Sequence, residues 1–160
     1  MSAPFCTDCG TEAAMMLGWE AVVSDPSLAD ARVWSCPVCR ESWCRHDPIS
    51  DRPIGTPAGE ETRTARALLA ERQIARIIAE ALAQNPNASA LADDRITGFT
   101  AALLGIERGH AAIEQLDLEQ CRKLWHALHR ASYADIVRHA QTYRPGKPTQ
   151  SSLTEQGAAA

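Results

Sequence analysis

Aromatic residues are scarce: Phe, Tyr and Trp make up 5% of the 160 residues, so the core they help to form must be mainly aliphatic. Lysine is scarcer, at 2 against 14 Arg, while 28 residues are Ala, a bias that favours helix. An excess of positive charge is missing too. Sixteen basic residues face 20 acidic ones and the net charge is −4. That balance excludes a uniformly basic nucleic-acid coat and a polybasic membrane anchor. No apolar run approaches the roughly 18 residues of a membrane-spanning helix. The opening MSAPFCTDCG lacks a basic segment followed by an apolar one, and the expected location is the cytoplasm. Catalytic signatures are absent: there is no G-x-S-x-G, no G-x-x-x-x-G-K-[ST], no G-x-G-x-x-G, and no H-x-E ahead of a P-C-x-x-C. The expectation is a protein that is not an enzyme.

What the chain has is cysteine in a pattern. Cys6 and Cys9 form one C-x-x-C, and Cys36 and Cys39 form a second after a gap of 26 residues. A reducing compartment disfavours disulfides. Two C-x-x-C turns instead supply four thiolates, a set that suits one tetrahedral, structural Zn2+. A redox C-x-x-C would need a βαβ context, which is missing. Cys36, Cys39, Cys44 and His46 offer a local alternative, but it leaves Cys6 and Cys9 without a role, so Cys44 reads as an apolar filler beside the second pair. Cys121 falls on the apolar side of a helix and reads as a core residue. Four thiolates also close the coordination shell, and a closed shell leaves no water to activate.

Between the pairs, Met15–Val23 reads as a strand, Ser24–Asp30 carries Asp-Pro turn chemistry, and Ala31–Ser35 reads as the returning strand. Cys6-Thr7-Asp8-Cys9-Gly10, Gly18-Trp19 and Trp34-Ser35-Cys36-Pro37-Val38-Cys39-Arg40 together resemble a zinc ribbon. The resemblance covers residues 4–46, about a quarter of the chain, and its loop is longer than usual. It implies a metal-stapled β-hairpin. Ribbons serve in nucleic-acid binding, in protein docking and as structural staples, so the resemblance selects no function. Trp19, Trp34 and Trp43 are candidate anchors for a partner, with packing around the metal as their other role; Arg40 and Arg45 form a small basic edge beside Trp43.

The organisation expected is a small α+β protein: a zinc-ribbon β-hairpin module over 1–46, a Pro/Gly-rich linker over 47–59, an all-α bundle of three or four helices over 60–144, and a disordered tail over 145–160. One helix is expected over 60–84, with Ala67, Ala70, Ile74, Ile77, Ile78 and Ala81 on its apolar side, stopped by Asn85-Pro86. Arg63, Arg66, Arg72 and Arg76 read as its solvated face, because Glu71 and Glu80 interrupt any phosphate-binding stripe. A second helix is expected over 89–104 and a third over 118–143. Asp117 and Gln120 form a capping box for the third, and Cys121, Leu124, Trp125, Leu128, Ser132 and Ile136 lie on one face. Thr100–Ile106 looks like the first helix and turn of a helix-turn-helix, with Arg108, His110 and Gln115 as DNA contacts, but Glu107 and Glu114 would meet phosphate repulsion. His126 and His129, three apart on a helix, read as polar-face residues.

Residues 1–50 hold seven acids and three bases, which is the whole net charge of the chain. An acidic module repels phosphate. The expected role is therefore a protein-interaction adaptor or regulator, with a protein as partner and homo-oligomerisation through the helices as a further option. The alternative is a DNA-binding transcriptional regulator using the ribbon or the imperfect helix-turn-helix. No membrane partner is expected.

Overall fold

The computed structural model describes residues 3–21, 23 and 25–142; the tail expected over 145–160 lies outside them. Four antiparallel strands form one sheet in chain order: β1 Ala14–Leu17, β2 Arg32–Ser35, β3 Trp43–Asp47 and β4 Arg52–Ala58. β1 and β2 are the expected hairpin, with Ala14 opposite Ser35 and Leu17 opposite Arg32. The first strand stops at Leu17 rather than running to Val23. There the Glu20 carboxylate accepts the Leu17 N–H at 3.0 Å, and the N–H groups of Glu20 and Ala21 both donate to Leu17 O, so the chain folds into a turn.

The segment expected as a linker over 47–59 is a correction. It makes a turn and then β4, which pairs with β3. Its prolines, Pro53 and Pro57, are tolerated because β4 is an edge strand, where a missing N–H costs no second ladder. Gly55 holds φ +81, and a Cβ there would sit 2.2 Å from Glu114 O, so only glycine lets the strand pass this close to the helical part. What composition marked as a spacer is a packed sheet edge.

The helices follow the sheet. α1 Glu60–Leu68, a π-helical segment Leu69–Ile74 and α2 Ala75–Gln84 run on as one rod; α3 spans Ser89–Leu104, α4 Leu118–Arg130 and α5 Tyr133–Thr142. The π segment changes the residue count per turn and so rotates the buried face. Ile74, Ile77 and Ala81 point inward as expected, but before them Leu69 is buried while Ala67 and Ala70 are exposed. The core of this part joins Leu69, Ile77, Ile96, Leu116, Leu124, Leu128 and Ile136.

The third expected helix is two. Asp117 accepts the Gln120 N–H at 2.7 Å and Gln120 Oε1 accepts the Asp117 N–H at 2.9 Å, the expected capping box of α4. The helix then ends at Arg130. Asp135 accepts from both the N–H and the hydroxyl of Ser132, which starts α5. One pair on α2 serves both sides of the break. Arg76 donates to Leu128 O and Ala131 O at the end of α4, and Glu80 accepts the Tyr133 N–H at the start of α5. After Gly105 the chain forms two three-residue 3-10 turns, Arg108–His110 and Ile113–Gln115, so the recognition helix that a helix-turn-helix needs at that place is not formed.

Candidate metal centre

The four cysteines of the two C-x-x-C turns converge. The Sγ atoms of Cys6, Cys9, Cys36 and Cys39 all lie within 4.8 Å of one another, and Cys9 Sγ is 3.4 Å from Cys36 Sγ. Sulfurs placed tetrahedrally at about 2.3 Å from one ion would be roughly 3.8 Å apart, so the spacing suits a single metal. None of the four is in a disulfide.

The turns that bring them together share a backbone plan, the second being one residue longer. In the first, Cys6 N–H donates to Thr11 O, Gly10 N–H donates to Cys6 O, and Gly10 sits at φ +72. In the second, Cys36 N–H donates to Ser42 O, Arg40 N–H donates to Cys36 O, and Arg40 sits at φ +55. Each knuckle closes through a left-handed residue just after its second cysteine. Glycine takes that conformation freely, and arginine does so at a cost.

Four thiols this close cannot all ionise without a cation. The Cys9 thiol is lowered to about 6, chiefly by its hydrogen bond with Thr11, while its neighbour Cys39 is raised to about 12, chiefly by Cys9 itself. Burial raises Cys6. A bound divalent ion resolves that competition by taking all four as thiolates. The donor set therefore fits one metal ion, held by residues of this chain alone.

Cys44 and His46 stand apart from this set. The Cys44 thiol is buried within 3.7 Å of Gly55 O, and burial raises it to about 12, so it is the apolar filler expected. His46 is buried with both ring nitrogens engaged: Trp34 Nε1 donates to Nδ1 at 3.3 Å, and Nε2 lies 3.2 Å from Asp51 Oδ1. Accepting at Nδ1 puts the ring proton on Nε2, toward the carboxylate.

The aromatic candidates separate by burial. Trp34, 6% exposed, packs with Ala13 and Cys44 in the module's small core and is no surface anchor. Trp43 is half-buried under the Arg63 guanidinium, 4.5 Å from its ring centre. Trp19 is 61% exposed. Arg40 and Arg45 are both exposed, on the second knuckle and on β3. His126 and His129 are exposed on α4, as expected of polar-face residues.

The expected solvated Arg face is a correction with consequences for the site. Arg66 is buried, and its donors reach Leu116 O (2.8 Å), Thr56 O (2.9 Å), Thr56 Oγ1 (3.0 Å) and Thr7 Oγ1 (3.2 Å). Thr7 lies between the cysteines of the first knuckle. Its neighbour Asp8 accepts from the Ser42 hydroxyl and from the Gly59 N–H at 2.8 Å, at the very start of α1. Gly59 has no side chain with which to cap that helix; the knuckle's carboxylate takes the N–H of Gly59 itself and places negative charge near the helix N-terminus, where it is favoured. These ties could not be found from periodicity, because Arg66 sits between the sheet module and Leu116 of the helical part.

No family model matches this chain, and no curated protein or solved structure is significantly similar to it. Its class rests on its own residues: a four-cysteine knuckle pair, placed to bind a metal ion, on a four-stranded sheet followed by helices. No helix among the described residues is long and apolar enough to cross a membrane.

Proposed function

We propose that the four cysteines hold one structural zinc ion, and that the protein is a non-enzymatic adaptor or regulator whose partner is another protein. The observation that supports this reading is the completeness of the knuckle pair. Two matched turns offer four sulfurs to one ion, which leaves no coordination position for water or substrate. Zinc is redox-inert and has no directional demand of its own, so such an ion staples the sheet and takes no part in chemistry. A module this small needs that staple, since its buried cluster is little more than Ala13, Trp34 and Cys44. The charge of the module, −4 over residues 1–50, favours protein over nucleic acid.

Two measurements test the reading. Metal analysis of protein purified without chelator should find one zinc per chain in a colourless solution; a coloured iron–thiolate species would overturn the zinc assignment. Cross-linking in cells followed by reconstitution should give a protein complex that persists at about 200 mM salt, whereas duplex DNA binding that is strong at about 50 mM and collapses by about 200 mM would replace the adaptor by the DNA-binding alternative.

A further inference from the structure

The four sulfurs of the centre are not equivalent. Cys6 is 3% exposed and Cys36 1%, Cys39 is half-buried, and Cys9 alone of the four is exposed. Each first cysteine continues a paired segment: Phe5 bridges to Glu12 ahead of Cys6, and Ser35 ends β2 ahead of Cys36. Each second cysteine lies in the turn beyond. Cys9 is the more open of these two. Gly10 follows it, and nothing lies within 4 Å of the Cβ that Gly10 lacks, whereas Arg40 fills the same place after Cys39.

A sulfur that solvent reaches is one that a small oxidant reaches. Cys9 also has a second sulfur at hand, because the buried Cys36 Sγ lies 3.4 Å away. The Thr11 hydroxyl is 3.3 Å from Cys9 Sγ and can donate to it when the sulfur is a thiolate. The remaining cysteines offer no competing sulfur, since Cys44 and Cys121 are both buried. One open sulfur, backed by a closed one within reach, is the arrangement of an attacking and a resolving cysteine. Zinc itself is redox-inert, so any electron transfer at this centre falls to the sulfurs.

We propose that Cys9 is a modification site for hydrogen peroxide, and that its oxidation ends in a Cys9–Cys36 disulfide that dismantles the metal centre. The assignment rests on the structural-zinc reading and adds its regulation. In the first step the Cys9 thiolate attacks one peroxide oxygen. The S–O bond forms, the O–O bond breaks, and the leaving hydroxide takes a proton to become water. Sulfur is oxidised by two electrons and peroxide is reduced. In the second step the Cys36 thiolate attacks the sulfur of the Cys9 sulfenic acid. The S–S bond forms, and the departing hydroxide takes a second proton. Two thiolates, one peroxide and two protons thus give one disulfide and two waters. Half of the donor set is then gone, and Cys6 and Cys39 by themselves do not complete a tetrahedral site. The new bond still ties one knuckle to the other.

The test treats the full, zinc-loaded chain with hydrogen peroxide while a chromogenic chelator counts released zinc, and mass spectrometry maps the products. Release of one zinc per chain is expected, with a Cys9–Cys36 linked peptide and recovery of zinc binding after dithiol reduction. Dimedone present during the oxidation should trap the sulfenic acid on Cys9. The variant Cys9→His keeps four donors but removes the open sulfur, and should slow release at least about tenfold. If that variant does not load zinc, the dimedone adduct and the disulfide map of the natural chain decide. Zinc retained under peroxide, a disulfide between other cysteines, a dimedone adduct elsewhere, or a loaded Cys9→His that releases zinc at the natural rate would each overturn the proposal. Zinc retained under peroxide leaves the structural-zinc reading standing; a chain that carries no zinc before oxidation overturns both.

Discussion

Cys6–Cys9 and Cys36–Cys39 trace the same turn, but the two residues enclosed by each pair face different surroundings. Thr7 and Asp8 bind inward, to Arg66 and Thr56 and to the Gly59 N–H at the start of α1. Pro37 and Val38 face solvent, and Val38 is 67% exposed. The local demand of a metal is met in the same way in both, by two sulfurs, a bond from the fifth residue's N–H to the first cysteine's carbonyl, and a left-handed residue. The tertiary use of the enclosed residues is not shared: Thr7 and Asp8 join sheet to helices, whereas Pro37 and Val38 are surface, and the second turn reaches α1 only beyond its cysteines, where Arg63 donates to Glu41 O at 2.8 Å. Metal geometry therefore constrains the cysteines and leaves the residues between them free for other work.

The comparison can be broken at its root. Cys6→Ser or Cys36→Ser should abolish stoichiometric zinc and unfold the sheet module, since structural zinc in small modules contributes about 10 kcal/mol or more. Loss of near-UV circular dichroism on chelation checks this, and equal damage from both knuckles is expected. Acid should act in the same direction. Cys6 and Cys39 are raised in the metal-free protein and Cys9 is lowered to about 6, so metal binding near pH 7 releases protons chiefly from the raised thiols, and affinity falls as pH falls. Calorimetry in buffers of different ionisation enthalpy counts those protons.

Arg66→Met should destabilise the whole chain by about 3 kcal/mol, because it strands buried acceptors on both sides of the joint. Denaturant unfolding followed by helical signal measures it. The sharpest contrast lies between the knuckles themselves. Asp8→Ala should cost about 2 kcal/mol through the lost Ser42 and Gly59 bonds, whereas Val38→Ala should stay within about 0.5 kcal/mol. Similar values for the two would mean that the residues inside both knuckles play one tertiary role. One smaller effect than the Asp8 loss has the opposite sign. Arg40→Gly should stabilise by about 1 kcal/mol by relieving a left-handed side-chain residue, and Gly10→Ala should lose about as much through backbone strain alone, since nothing lies within 4 Å of the Cβ it would add.

Much of the fold was legible. The helix over 89–104, the Asp117–Gln120 capping box and each C-x-x-C turn are coded within a few residues of themselves, and the β1–β2 hairpin and the convergence of the two turns follow from a repeated motif on either side of a strand–turn–strand pattern. The misses have separate causes. β4 hid inside a Pro/Gly-rich stretch because edge strands accept proline, and no pattern says which edge a strand will join. The break at Ala131–Ser132 carried a signal, Ser132 followed three residues later by Asp135, but it lay inside a continuous apolar periodicity that masked it. Arg66 fell on a polar helix side whose covering partner, the sheet module, is distant in sequence. Trp34 and Trp19 were alike as candidates until burial placed one in the core and left the other on the surface.

The sequence by itself determined where the paired cysteines and most helices lie, because C-x-x-C turns, caps and helical stripes are short-range chemistry acting over three or four residues. Only the tertiary structure decided what each knuckle faces, which arginine is buried and which loops stand free. Those depend on contacts such as Arg66 with Thr7, or Gly55 with Glu114, between groups more than fifty residues apart, and no local pattern records them.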